Sequence, residues 1–341
     1  MDNTSELQPN STSGGGESAS TDDKSWERFY SAVITFQICI ICISITGNIL
    51  VCTAILITDR LRKSIASYFL ISLAISDVLT ASFPMSFEVH SYLINLQWDL
   101  GAGACRFYTT MYLIAAPSSV INLLAVSIDR YRAISRPLLY IQNMNPTKAL
   151  VAIFVIWTYV IAFALVPLMG WNDNGVVILR NENGENYCRF DINEHYSLLS
   201  SIINFLIPMF IMSVIYYHIY KIAHEHAKRI RRIGTNVSSS GRLGVEESAL
   251  ITEKKNMTRS IKAAKTISII VSAFYLSWLP HTAYSIVGIF CKECIQGKFK
   301  LSVILLLIAY TNSAMNPFLY GFHNRDFREA FKRLLRFKRA F

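Results

Sequence analysis

Seven long, mostly apolar runs constrain this chain more than any other feature. They lie at residues 32–58, 65–93, 103–136, 147–170, 196–227, 262–291 and 301–322. Each reaches the roughly 20 residues that a helix rising about 1.5 Å per residue needs to cross a hydrocarbon core about 30 Å thick. Lipid offers the backbone amides no other partner, so the runs must be helices; barrel strands alternate polar and apolar residues, and these runs are continuous. With 52% hydrophobic and only 16% charged residues, the chain cannot hide its apolar side chains in one or two water-soluble cores. The expected fold class is an all-α membrane protein, a seven-transmembrane helix bundle.

An odd number of spans puts the two chain ends on opposite sides of the bilayer. Lys24, Arg28, Arg106, Arg180, Arg189, Lys292, Lys298 and Lys300 share one side. The rest of the 33 Lys and Arg lie on the other, concentrated at residues 60–63, 221–265 and 325–339. The basic side is cytoplasmic, so the N-terminus is extracellular and the C-terminus cytoplasmic. The formal charge of +10 thus faces the inner leaflet and calls for no nucleic-acid partner. Residues 1–28 are polar and rich in Ser, Thr and Gly, which reads as a disordered extracellular tail. Its Asn3 and Asn10 head glycosylation triplets that only the lumenal side can use. No short apolar leader precedes the first run, which is expected to serve as its own insertion signal.

The cysteines sort by the same topology. Cys39, Cys42 and Cys52 sit inside the first run as small apolar residues. Cys105, Cys188, Cys291 and Cys294 fall at outer ends or outer loops, where disulfides persist. Four thiols allow three connectivities. Cys291 and Cys294 are close enough in sequence to close a small loop, leaving Cys105 with Cys188.

Polar residues inside the runs are costly and mark candidate sites. Asp77 lies midway along the second run, Asn48 in the first, Ser119 in the third, and Asn312, Ser313 and Asn316 in the seventh. A lone carboxylate among amides and hydroxyls suits a small hard cation with some waters. It equally suits a neutral or water-bridged acid that holds helices together. The inner end of the third run reads Asp129-Arg130-Tyr131. Trp157 marks the fourth, Pro208 and Tyr216 the fifth, Phe274-xxx-Trp278-Leu279-Pro280 the sixth and Asn316-Pro317-xx-Tyr320 the seventh. Prolines inside spanning helices interrupt the hydrogen-bond ladder and bend them, and a bundle with several bends can hold two packings of similar energy. After the seventh run, Phe327, Phe331, Leu334 and Leu335 share one face of a segment whose other face is basic. Residues 323–341 are therefore expected to form a cytoplasmic amphipathic helix and tail.

These signatures, in this order over residues 29–322, resemble the rhodopsin-like family of G-protein-coupled receptors. The resemblance implies a receptor, not an enzyme, that binds an extracellular small molecule in the outer half of the bundle and activates a heterotrimeric G protein. Arg130 would contact the G protein, flanked by Asp129 and Tyr131. Phe274, Trp278 and Pro280 would form the switch beneath the pocket. Tyr216 and Tyr320, with Asn316 and Pro317, would support the open state. Asp77, Ser119, Asn312, Ser313 and Asn316 would be the family's sodium site, with no other metal or cofactor. Arrestin and a receptor kinase are further expected partners.

The look is closest to biogenic-amine and adenosine receptors, with the ligand amine-like or nucleoside-like. The fifth-helix extension from Tyr217 to Ile230 resembles amine receptors. Those receptors place an Asp seven residues after the third-helix cysteine, and here that position is Tyr112. An amine in low dielectric needs an anion, which Glu88 or Asp191 could supply. Pro167–Asn172 and Phe190 resemble adenosine receptors, although Ser285 and Tyr310 replace two of that subfamily's anchors. The expected pocket wall comprises Glu88, Tyr112, Ala116, Phe190 and Asp191 on one side. Ser200, Asn204, Trp278, His281 and Tyr310 complete it.

Many members of the family also carry an acid near the inner end of the sixth helix that pairs with the third-helix arginine. Ser260 stands there, and elevated basal signalling is the expected consequence. The rival architecture is a transporter or channel with the same helix count. It would show internal repeats or paired broken helices, and the two halves of this sequence are not self-similar.

Overall fold

The computed structural model describes residues 18–180, 186–237 and 245–337; at 18–23, 172–180, 189–191, 226–237, 245–260, 262–264, 266 and 336–337 the backbone alone is described. In chain order the elements are α1 (Ser18–Ile57), α2 (Asp59–Arg62), α3 (Ile65–Thr80), α4 (Ser86–Leu93), α5 (Gly101–Ser135), α6 (Pro137–Asn143) and α7 (Pro146–Leu165). An antiparallel hairpin of β1 (Asn172–Arg180) and β2 (Asn186–Ile192) follows. Then come α8 (Glu194–Ser201), α9 (Ile207–Val237), α10 (Val245–Phe290), α11 (Lys292–Ile295), α12 (Phe299–His323) and α13 (Arg325–Phe337). Among the described residues, six helices are long and apolar enough to cross a membrane: Lys24–Ile57, Ile65–Leu93, Gly101–Ser135, Pro146–Met169, Glu194–Glu225 and Phe299–His323. The remaining expected run, 262–291, lies within α10 except for Cys291, which follows its end.

Two of the spans are interrupted where proline forces it. Pro84 lacks an N–H and would push its ring into the carbonyl four residues back. The second span widens there into a π turn, Ala81–Met85, and the Ser86 hydroxyl donates to the Ala81 carbonyl at 3.1 Å. The fifth span has a similar turn, Ile202–Leu206, just before Pro208. In the seventh span Pro317 leaves the Ser313 carbonyl without its helical donor. The Asn48 side chain on α1 donates to that carbonyl at 2.9 Å. Gly47 makes this approach feasible, because a Cβ there would lie 2.6 Å from Pro317 Cγ. The first and seventh helices are thus keyed together by a glycine, an amide and a proline.

The first helix starts earlier than expected. Residues 18–28, read above as part of a disordered tail, continue α1 upward. The reason lies in aromatic packing. Trp26 stacks on Tyr30, meets Phe299 of α12 and carries the Lys300 ammonium 4.1 Å above its ring. Tyr30 in turn stacks on Tyr92. Asn3 and Asn10 lie outside the described residues.

On the outer side, Cys105 at the head of α5 is joined to Cys188 of β2, and Cys291 to Cys294. Trp98 is buried beneath the hairpin, its backbone N–H donating to the Asn186 carbonyl at 2.7 Å. At the inner end α13 begins at an Asn324 cap, whose side chain accepts from Asp326 N–H at 3.0 Å. Its apolar face turns inward, with Phe327 buried and stacked on Tyr320 at 5.1 Å. Phe331 and Leu334 pack on the same core, while Leu335 is exposed.

Candidate functional site

Toward the outer end of the second span, Glu88 is buried and receives three hydrogen bonds. Its Oε1 accepts from the Tyr310 hydroxyl at 2.6 Å and the Tyr108 hydroxyl at 3.1 Å; its Oε2 accepts from Gln37 Nε2 at 3.0 Å. Gln37 Nε2 also reaches the Met85 carbonyl at 3.1 Å, the carbonyl at the end of the π turn. One carboxylate therefore ties α1, α4, α5 and α12 together. All three donors are neutral, and among the described residues no cation pairs with it. Tyr112 packs with Tyr310, Met85 and Ile40 in the apolar layer beside this group.

The floor lies deeper. Trp278 is buried against Phe274 at 6.3 Å and Phe205 at 5.3 Å, with His281 edge-on above it at 6.2 Å. Its indole N–H has no partner among the described residues. Ala116 belongs to the same core cluster. Pro280 lies two residues beyond the tryptophan within α10.

Not every expected pocket residue joins this assembly. Asn204 is buried, its Oδ1 accepting from Tyr159 at 2.8 Å and its Nδ2 donating to Ser200 at 3.2 Å. These two are thus engaged with each other and with α7 rather than with the Glu88 group. The Phe190 and Asp191 side chains lie outside the described residues; the backbone places Phe190 opposite Val176 in the hairpin. Gln37 and Tyr108 were missed. Gln37 carried a readable signal, an amide inside the first apolar run. Tyr108 carried none, since a tyrosine near a helix end is unremarkable.

At mid-membrane the expected polar cluster assembles. Asp77 is fully buried, with Ser119 Oγ donating to Oδ1 at 3.3 Å and Asn316 Nδ2 to Oδ2 at 2.7 Å. Ser76 and Ser119 share a 3.0 Å hydrogen bond. Ser313 is within hydrogen-bonding reach of the same carboxylate. Asn316 Oδ1 and Asn312 Nδ2 are buried without partners among the described residues.

The inner end contrasts in charge. Arg130 Nε donates to Asp129 Oδ2 at 3.0 Å, and its terminal nitrogen closes the ion pair. The Tyr140 hydroxyl of α6 donates to Asp129 Oδ1 at 2.7 Å. Burial first, and then the Asp129 charge, hold that phenol well above its usual pKa. Tyr131 packs near His218 of α9. Tyr216 bonds Ser127 at 3.1 Å, whereas the buried Tyr320 hydroxyl has no partner among the described residues. The Ser260 side chain lies outside the described residues.

The bundle thus has an enclosed polar group near one end, an aromatic floor beneath it and a self-paired arginine at the other end. Nothing in its sequence repeats as a carrier would. Comparison with known proteins gives the family. Residues 47–320 match the model of the seven-transmembrane receptors of the rhodopsin family. The histamine H2 receptor of Rattus norvegicus is 32% identical over 98% of this chain and 86% of its own length. The 5-hydroxytryptamine receptor 4 of Cavia porcellus is 33% identical over 88% of this chain and 78% of its own. Dopamine receptor 1 of Drosophila melanogaster is 34% identical over 87% of this chain and 60% of its own. The chain belongs to the rhodopsin family of seven-transmembrane receptors, and is a multi-pass membrane receptor rather than an enzyme or transporter.

Proposed function

We propose that this receptor responds to an extracellular small-molecule amine and transmits through a heterotrimeric G protein. The observation that carries this reading is the coverage of the chain by receptors named for histamine, 5-hydroxytryptamine and dopamine, at similar identity to each. The ligand would enter from the outer side, between the Glu88 group and Trp278. The N-terminus would be extracellular and α13 cytoplasmic, as the basic residues demand.

Filling the outer half would change the packing around Trp278 and the proline-bent sixth helix. At the inner end, Arg130 would exchange Asp129 for the G protein. Tyr216, bonded to Ser127, and the buried Tyr320 would support that rearrangement. Arrestin and a receptor kinase would act on the same inner face.

The Asp77 cluster fits a sodium ion. Its donor set is hard oxygen, and the unpartnered buried Asn316 Oδ1 supplies a further ligand atom. Asp77, Ser119, Ser313 and Asn316 would hold the ion, with Asn312 beside them. Bound there, it would neutralise the carboxylate and favour the resting packing.

The test is a panel of histamine, serotonin, dopamine and adenosine on cells reporting cyclic AMP and calcium. A response to at least one amine is expected. A response to adenosine with none to any amine would replace the amine reading with the nucleoside one.

A further inference from the structure

The Glu88 cluster is short of donors and of positive charge. A carboxylate offers about four lone-pair directions. Tyr310, Tyr108 and Gln37 fill three of them, leaving one on Oε2. Gln37 is itself fully buried, and its Oε1 has no partner among the described residues. Two acceptors on adjoining side chains are thus unspent beside an anion that no described cation neutralises. An ammonium carries three N–H donors and one positive charge, which is what the cluster lacks. Glu88 lies five residues below the outer end of α4, about 7.5 Å along the axis, within reach of a small molecule entering from outside.

We propose that Glu88, with Gln37 Oε1 beside it, receives the ammonium of the ligand, between the first, second and seventh helices. It takes the place of the third-helix acid that Tyr112 has replaced. This assignment rests on the amine reading above. It adds that the acid holding the charged end of the ligand belongs to the second helix and not to the third, and that Tyr310, bonded to the same carboxylate, carries the ligand's arrival into α12.

The experiment compares each active amine with its N-acetylated, neutral counterpart on wild type, Glu88→Gln and Glu88→Ala, with surface expression followed by an N-terminal epitope. The ratio of the two potencies within one variant does not depend on how much receptor folds. Losing one partner of a buried charge pair is worth about 30-fold or more. Wild type should therefore prefer the amine by at least about 30-fold, and both variants should bring the ratio to within a few-fold of one. A wild type that responds equally to both forms overturns the proposal with no variant needed. A preference kept in either variant overturns the Glu88 assignment while leaving the amine reading intact. Wild type that responds to neither form overturns both.

Discussion

The outer and inner ends of the bundle each bury a carboxylate, and they treat it in opposite ways. At the inner end Asp129 has its own cation next door in sequence, and Tyr140 completes its shell. At the outer end Glu88 is surrounded by neutral donors from three other helices. A charge paired with its sequence neighbour and one hydroxyl of the adjoining α6 can be released without unravelling the bundle. A charge shared among four helices cannot, and its partner must come from elsewhere. In the reading proposed above, the inner pair would act as a latch and the outer group as a receiver.

The largest expected effect tests the latch. Arg130→Ala should lower ligand-stimulated G-protein turnover at least about tenfold at equal surface expression, since it removes the cation that the G protein would meet. Turnover within twofold of wild type would mean that this end of α5 is merely a solvated face.

Next comes the Asp77 cluster in the middle of the bundle, where the proposed sodium ion would bind. Sodium chloride, against N-methylglucamine chloride at equal ionic strength, should weaken agonist binding to wild type and leave Asp77→Asn indifferent. An equal response of both would remove the ion from the account.

A smaller effect concerns the seam between the first and seventh helices. Asn48→Leu leaves the Ser313 carbonyl unsatisfied, and about 1–3 kcal/mol of stability should go with it. Thermal unfolding of the detergent-solubilised receptor reads this directly. An unchanged midpoint would show that the carbonyl finds another donor.

The smallest effect sharpens the contrast between latch and receiver. Ser260→Glu would offer Arg130 a second acid, worth about 0.2–1 kcal/mol for an exposed pair. Basal signalling should fall by a factor of up to about five. Equal basal output in wild type and variant would reject a role for that position.

Much of the architecture was legible because lipid leaves so few solutions. Continuous apolar runs, basic residues on one side and cysteines on the other place the spans without any knowledge of packing. The Asp77 cluster was legible for the same reason, since each member is a polar residue where polarity is costly. The paired cysteines were also foreseen, and both bridges are present.

Helix extensions and side-chain direction were less accessible. The upward continuation of α1 depends on Trp26 finding Phe299 and Lys300, residues some 270 positions away. Asn204 reads as a pocket residue by position, yet it lies inside the π turn before Pro208, with its amide engaged with Tyr159. Periodicity fixes which face a residue occupies only while the helix is regular, and each π turn shifts the face. The Glu88 group shows the same limit. Its partners come from three other helices, and no local pattern announces that Gln37 and Tyr310 will meet.

The most direct test uses purified receptor in lipid nanodiscs with a purified heterotrimeric G protein, reading guanine-nucleotide exchange as histamine, serotonin or dopamine is added. At least one amine should accelerate exchange in a saturable way, with its N-acetylated form far less potent. Exchange that no amine alters, by a receptor that still binds one of them, would contradict a link between the outer receiver and the inner latch.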